Sequence, residues 1–380
     1  MKKILFVSPH NLNKRYGGAL ATKAYYNAFI TLYGTRVKLM MPAEGCYGEY
    51  KEAIAVPKRN KLSLYLGILT GHFHRYYYFV KKFLRYKSND YSLAIINGGF
   101  YAGDIIDLFH LYGIKTIVIH HNYEVEYHMD NKTIATLNGR TAKFVERNER
   151  RAYLNADVNV FLTTPDMQLF ERHYGLPAAP SYLLNVFEPE ILNLKVTHRQ
   201  HKKKIVITGC LDSIQTIKGI KDFSQYYFKI VRELCPEWEV ILAGRNPSKS
   251  ILQFAKENPG IVNVIANPEN MDSVIQDASI FLCPTNVGGG LKLRIMDGLK
   301  NGIPVLTHSV SARGYETFFN KPFFKIYHDE ISFKKGLTEL LEYSGTKNTV
   351  QDIYSSYISS FGFESGCKRV REIMRYVTNE

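Results

Sequence analysis

The sequence predicts an α/β protein with two doubly wound parallel sheets, and three observations carry that prediction. Short apolar runs alternate with stretches of helical periodicity along most of the chain. The alternation lapses once, over residues 185–204, and then starts again. At 380 residues the chain is long enough for two domains with full cores.

Taken in order, Lys3 to Ser8 reads as a first strand, followed by a loop from His10 to Gly18 that contains Arg15 and the pair Gly17-Gly18. A helix is expected from about Leu20 to Tyr33 and a strand from Arg36 to Met41. Residues 62–87 are aromatic and basic, and Tyr76, Phe79, Val80 and Phe83 fall at i, i+3, i+4 and i+7. Such a stripe, flanked by Arg75, Lys81, Lys82, Arg85 and Lys87, fits two situations: a helix in the interface of an anionic membrane, or one packed on the sheet. Strands follow at Tyr91 to Asn97, Ile114 to His120 and Asp157 to Leu162, with a charged helix over 140–155. After the basic linker ending Lys202-Lys203-Lys204, the second series runs Ile205 to Gly209, helix 217–234, Glu239 to Gly244, helix 248–257 and Val262 to Ala266. Residues 350–380 read as paired helices. The expected domains are 1–195, 196–355, and a C-terminal helix over 356–380 that crosses back to the first domain.

Composition narrows the class. Hydrophobic residues make up 45% and charged residues 22%, as in globular proteins, with no low-complexity tract. Five cysteines at irregular spacings, without a CxxC pair, argue for a reducing compartment and against a disulfide framework or structural zinc. No apolar run approaches ~20 residues and none resembles a signal peptide, so a cytoplasmic protein, peripheral on the membrane at most, is expected. The net charge of +14 is uneven: residues 1–200 hold 26 Lys/Arg against 16 Asp/Glu, and residues 201–380 hold 23 against 19. That balance favours an anionic partner. Without an RRM, zinc-finger or helix-turn-helix signature, nucleic acid is not expected to be that partner.

The densest chemistry lies between Val287 and Tyr315. The strand Ser279 to Cys283 stops at Pro284, and Gly288-Gly289-Gly290 follows. Leu291, Ile295, Met296 and Leu299 then recur at helical spacing, Asn301-Gly302 closes the helix, and Ile303 to Thr307 is another strand. Bare N–H groups at such a helix start suit a phosphate. Lys292 and Arg294 in the first turn would oppose the helix dipole unless an anion sits before them. Asp297, one turn on, is placed to accept from vicinal sugar hydroxyls.

Together these residues resemble the donor segment of retaining, nucleotide-sugar-dependent glycosyltransferases of family 4. The branch in question has the pattern Gly-Gly-Gly-x-Arg/Lys-Leu-Lys/Arg-x-Leu/Met-Glu-Ala, then Gly-x-Pro-Val-Val and Ala-x-Gly. Gly288, Gly289, Gly290, Lys292, Arg294, Asp297, Gly302, Pro304, Val305, Ala312 and Gly314 are in register. Asp297 stands where the family prefers Glu, and Gly289 stands where other branches carry a Glu against the transferred sugar. His121-Asn122-Tyr123-Glu124 resembles the family's His-Asn-x-Glu element, and Gly244-Arg245-Asn246-Pro247 matches as well. After Gly209 the family's Gly-Arg-Leu is replaced by Gly209-Cys210-Leu211, and Lys218 arrives late.

The resemblance implies a GT-B architecture, two Rossmann-like domains facing across a cleft, with the donor on the second domain and the acceptor on the first. It implies donor contacts from Gly17, Gly18, Gly209, Arg245, Gly288, Gly289, Gly290, Leu291, Lys292, Arg294 and Asp297. His121 would line the cleft near the sugar, Glu124 would face the acceptor, and Lys292 and Arg294 would neutralise the leaving diphosphate. The implied reaction is sugar transfer from a nucleoside diphosphate sugar to a hydroxyl of a lipid-linked or surface glycan intermediate, with retention of configuration. No cofactor is expected: an Asp-x-Asp metal signature is lacking, and Glu124-Val125-Glu126 is a poor substitute. A nucleotide-sugar epimerase or hydrolase of the same fold, and a non-catalytic sugar-binding subunit, are the rival readings.

Overall fold

Lys3-Ile4-Leu5-Phe6-Val7 form β1, whose last four residues are buried whichever face they point to, as a strand between two helical layers requires. The computed structural model describes residues 2–14, 16–58, 72, 75–126, 140–192, 202–344 and 349–378. Arg15 and most of 62–74 therefore lie outside the described residues. Two units divide the chain: Met1–Leu192 with Phe361–Glu380, and Asn193–Ser360.

In the first unit β1 is followed by α1 (Gly17–Tyr33), β2 (Val37–Pro42), β3 (Ile54–Val56), α2 (Tyr76–Lys87), β4 (Tyr91–Asn97) and α3 (Gly99–Leu111). Then come β5 (Lys115–His120), α4 (Arg140–Asn155), β6 (Val158–Phe161), α5 (Thr164–Tyr174) and β7 (Ser181–Leu183). The seven strands are parallel, in the order β3-β2-β1-β4-β5-β6-β7. Helices α3 and α4 touch where Gly103 meets Asn148: a Cβ there would lie 2.2 Å from the Asn148 carbonyl oxygen.

The apolar stripe of α2 turns inward. Tyr76 and Val80 are fully buried with Leu84, and Phe79 and Phe83 pack against the same core. That corrects the reading of the stripe as a membrane-inserted face: the sheet offers it a dry partner within the unit. The Tyr76 hydroxyl, which would be costly to bury alone, donates to the Ser8 carbonyl.

In the second unit the order is β8 (Lys204–Cys210), α6 (Ile214–Asp222), a π-helical turn (Phe223–Tyr227), α7 (Phe228–Leu234), β9 (Glu239–Arg245), α8 (Lys249–Glu257), β10 (Val262–Ala266) and α9 (Met271–Gln276). β11 (Ile280–Cys283), α10 (Arg294–Lys300), β12 (Val305–His308), β13 (Phe324–Tyr327), α11 (Glu330–Ser344) and α12 (Thr349–Phe361) complete it. Six parallel strands lie in the order β10-β9-β8-β11-β12-β13. The expected single helix over 217–234 is interrupted by the π turn. The wider turn sets residues five apart on one face, so Phe223 and Phe228 both enter the core, ring centroids 6.0 Å apart.

The last helix, α13 (Phe363–Thr378), belongs to the first unit and packs on α1. Gly366 admits the Phe187 ring, which a Cβ would approach to 2.2 Å, and Arg369 Nε donates to the Leu184 carbonyl at 2.6 Å.

Candidate functional site

In each sheet the chain reverses its direction of winding at one place, and open α/β sheets bind ligands outside the strand ends there. In the second unit that place lies between β8 and β11. Gly209 and Gly244 pair across β8 and β9, and an added Cβ on Gly244 would lie 1.7 Å from the Gly209 carbonyl oxygen. Ser213 caps α6, its hydroxyl accepting from the Thr216 N–H at 3.3 Å, which brings the Thr216 side chain to the strand ends.

Arg294 crosses this point. Its Nη1 donates to the Thr208 carbonyl (3.1 Å), Thr216 Oγ1 (3.2 Å) and Thr285 Oγ1 (3.5 Å). The guanidinium occupies the volume that a side chain at 209 would fill, 2.6 Å from an ideal Cβ. Among the described residues these hydrogen bonds all run through Nη1, so Nε–H and Nη2–H remain to meet an anion.

Lys292 departs from expectation. The helix begins at Arg294, not after Gly290, because Ile295 and Met296 close tight turns onto the Lys292 and Leu293 carbonyls. Leu291 and Lys292 therefore precede the helix. The Lys292 ammonium folds back on the glycine loop, donating to the Gly288 (3.0 Å) and Gly289 (2.9 Å) carbonyls, and Tyr315 Oη donates to the Lys292 carbonyl at 2.9 Å. Gly288 and Gly290 have positive φ (85° and 70°), and Gly288 lies against the Gln215 amide. The loop is thus wound around a buried cation.

Asp297 sits one turn into α10 with its carboxylate 3.0 Å from Lys300 Nζ and its side chain 38% exposed. Partial burial raises its pKa, while Lys300 opposes that shift. Arg245 is exposed at the end of β9, in register with Cys210. Beside it Cys210 Sγ–H donates to Asp212 Oδ1 (2.9 Å), and Asn246 donates to Asp212 Oδ2 (3.1 Å). Lys218 is paired with Asp222 at 2.7 Å, one turn inside α6. Sequence pattern does not mark Thr208, Thr216, Thr285, Gln215 or Asp212 as site residues. The capping pattern Ser213-x-x-Thr216 is the one signal that points there.

In the first unit the reversal lies between β1 and β4. Gly17 and Gly18 are not a loop before the helix; they open α1. Gly18 makes room for the His10 ring, 2.8 Å from an ideal Cβ. His121, just past β5, donates from Nε2 to Asn97 Oδ1 (2.8 Å); Asn97 Nδ2 donates to Thr22 Oγ1 (2.7 Å), and Thr22 donates to the Gly18 carbonyl (2.6 Å). This relay fixes the His121 tautomer as Nε2–H, leaving the lone pair on Nδ1. The His10 ring lies 5.9 Å away. Burial, then the neighbouring His10 and His120, depress the His121 pKa to about 3, so the ring is neutral at physiological pH.

Glu124, expected to face the acceptor, is a buried residue of the first unit, 9% exposed. Glu149 ties down its backbone: Glu149 Oε1 accepts the Glu124 N–H (2.9 Å), and Tyr174 Oη donates to Oε2 (3.1 Å), while Asn122 Nδ2 donates to the Glu124 carboxyl at 3.3 Å. Burial, with the charge of Asp166 adding to it, raises the Glu124 carboxyl to about 7, and burial also holds Glu149 well above the usual range.

These shifts oppose one another in pH. Stability lent by the raised Glu124 is full below about pH 4.5 and is lost as pH rises through about 7, and the raised Glu149 acts in the same direction. Each tenfold difference in proton affinity between the folded and unfolded chain contributes about 1.4 kcal/mol. His10 and His120, both lowered to about 4, and His121 lend stability that is present above about 6.5 and lost as pH falls through their folded values. Amide hydrogen exchange on β1, β4 and β5 should therefore be slowest, after correction for intrinsic rates, between about pH 5.5 and 6.5. Protection that keeps rising to about pH 8 would contradict these assignments.

The fold and both strand-end sites define two Rossmann-like units of the GT-B class. Residues 202–342, which lie in the second unit, match the family model described as glycosyl transferases group 1. No curated protein sequence matches the chain. Among solved structures it is similar in fold to a sucrose-phosphate synthase (tll1590) from Thermosynechococcus elongatus, at 14% identity and a TM-score of 0.70 over 100% of both chains. It is likewise similar to Anabaena Alr3699/HepE in complex with UDP, at 11% identity and TM-score 0.66 over 98% of this chain and 99% of that one. A glycosyltransferase from Rickettsia africae ESF-5 aligns at 10% identity and TM-score 0.67, covering 99% and 98%.

Proposed function

We propose that this protein transfers a sugar from a nucleoside diphosphate sugar to a hydroxyl of a lipid-linked or surface glycan intermediate, with retention of configuration and without a metal ion. The observation that carries this reading is Arg294, held at the β8/β11 switch point beside a glycine loop, with N–H groups left over from its bonds to Thr208, Thr216 and Thr285. The similarity to HepE, solved with UDP and with UDP-glucose, supports a nucleotide sugar as the donor. In this reading Arg294 and the loop amides stabilise charge that grows on the leaving diphosphate, with Lys292 contributing its field from within the loop. His121, neutral and with its Nε2 proton held by Asn97, accepts at Nδ1 from a hydroxyl of the sugar or acceptor. The carboxyl of Glu124 acts through the loop it anchors, and cytoplasmic placement belongs to the same proposal.

Incubation with candidate nucleotide sugars in the presence of a chelator tests it: release of nucleotide that depends on an added glycan acceptor is the expected result. Turnover of donor alone would favour the epimerase or hydrolase reading, and an absolute need for manganese or magnesium would remove the metal-free mechanism. Asp297 is assigned to the ribose hydroxyls, with Lys300 holding the carboxylate in place. Asp297→Ala should then raise the nucleotide Kd roughly tenfold or more, as for a charged hydrogen bond of ~1.5–3 kcal/mol. An unchanged titration would reduce Asp297 to a helix ion pair.

A further inference from the structure

With its apolar stripe packed on the sheet, α2 turns a different face to solvent. Tyr78, Lys81, Lys82, Arg85 and Tyr86 fall at i, i+3, i+4, i+7 and i+8, and all five are exposed, Tyr78 by 42% and Tyr86 by 76%. Lys87 is exposed in the last turn. The helix contains no acidic residue, and from Ala53 to Asn89 the sequence has eight Lys or Arg and no Asp or Glu.

Carboxylates near either end of the helix are engaged by other cations. Glu44 accepts from Arg75 (3.1 Å), with Lys58 at 3.5 Å, and Asp90 pairs with Lys3 at 3.7 Å. Among the described residues no carboxylate pairs with Lys81, Lys82, Arg85 or Lys87. Lys81 Nζ instead lies 5.9 Å from the Tyr77 ring centroid. Surface lysines and arginines of a folded domain ordinarily interleave with acids, so a face with bases alone carries a standing positive potential.

We infer that this outer face of α2 docks the protein on an anionic phospholipid surface, the cations meeting headgroup phosphates and the two tyrosines entering the interfacial layer. The charge calls for a polyanion. The tyrosines, exposed at opposite ends of the basic patch, select a bilayer among polyanions, because tyrosine favours the water–lipid boundary. A helix of 12 residues lying flat presents this face along about 18 Å, and each cation near an anionic bilayer contributes about fivefold in affinity. The inference does not rest on the transferase reading; it stands on the composition of one exposed face.

Sedimentation of the intact protein with vesicles of phosphatidylcholine containing phosphatidylglycerol tests it. The wild type should bind at low salt, release at high salt, and ignore pure phosphatidylcholine. Combined substitution of Lys81→Gln, Lys82→Gln and Arg85→Gln should weaken binding about 100-fold, and the corresponding Glu triple should abolish it. All three side chains are exposed, so thermal melting should be unchanged, and either triple serves if the other fails to fold. Tyr78→Ser with Tyr86→Ser should weaken vesicle binding several-fold while leaving its salt dependence intact. Failure of the wild type to sediment at low salt overturns the inference. So does retained binding in the Gln triple, or binding to duplex DNA through the same cations with vesicles left in the supernatant.

Discussion

Replacing Gly244 by alanine is expected to prevent the second unit from folding, or to lower its stability by more than about 4 kcal/mol. The new Cβ would lie 1.7 Å from the Gly209 carbonyl oxygen, and neither atom can move aside cheaply. Both belong to backbone paired in the parallel ladder of β8 and β9, the Gly209 oxygen at a strand end whose inner side holds Arg294. Relief would require parting two central strands, which also carry Ile205, Ile207, Val240 and Leu242 of the core. Gly260→Ala is the control: its φ is +76° but nothing stands within 4 Å of the added carbon, so its cost should stay near about 1 kcal/mol. Fluorescence of Trp238, which packs against the core of this unit, reports its unfolding in urea. A Gly244→Ala protein with a near-native midpoint would mean that the two strand ends are placed wrongly.

Arg294→Ala carries the largest expected effect on activity, a loss of about 10³-fold or more in turnover. The variant removes a cation and three hydrogen bonds, including those on Thr208 and Thr285, so it should also lose roughly 2–3 kcal/mol of stability. Arg294→Lys separates the two effects. It retains the charge but cannot donate to three acceptors on one side while presenting further N–H groups on the other. Turnover should fall at least tenfold in the lysine variant, with free nucleoside binding nearly intact, because the charge being stabilised grows as the bond breaks. Equal losses for nucleoside and nucleotide sugar, with turnover preserved, would leave Arg294 as a strut between β8, α6 and the β11 loop.

Much of this arrangement is legible from local pattern. The strand β4 matches its expected bounds to the residue, and the helices 140–155 and 248–257 match to within one, because each is bounded by a clear change of period. Short edge strands, Ile54–Val56, Ser181–Leu183 and Phe324–Tyr327, are not legible, since three or four residues are too few to show an alternation. The helical spacing of Leu291 and Ile295 hides the tight turns at Lys292, because an apolar residue before a helix can occupy the same phase. The backbone at Glu124 is held by Glu149, itself bonded to Tyr174, and the setting of Arg294 depends on Thr208 and Thr216, 86 and 78 positions away. Contacts at such separations leave no periodic trace in the chain.

The relay from His121 through Asn97 and Thr22 ends on the Gly18 carbonyl, which has no proton to pass on. Its effect is to make the imidazole a one-sided reagent: the Nε2 proton is tethered, and the other nitrogen offers only an electron pair. The strand ends of the first unit consequently favour a molecule that brings a hydrogen, such as an alcohol, and discriminate against one that brings negative charge. The second unit, with Arg294 at the equivalent reversal of its sheet, has the opposite appetite.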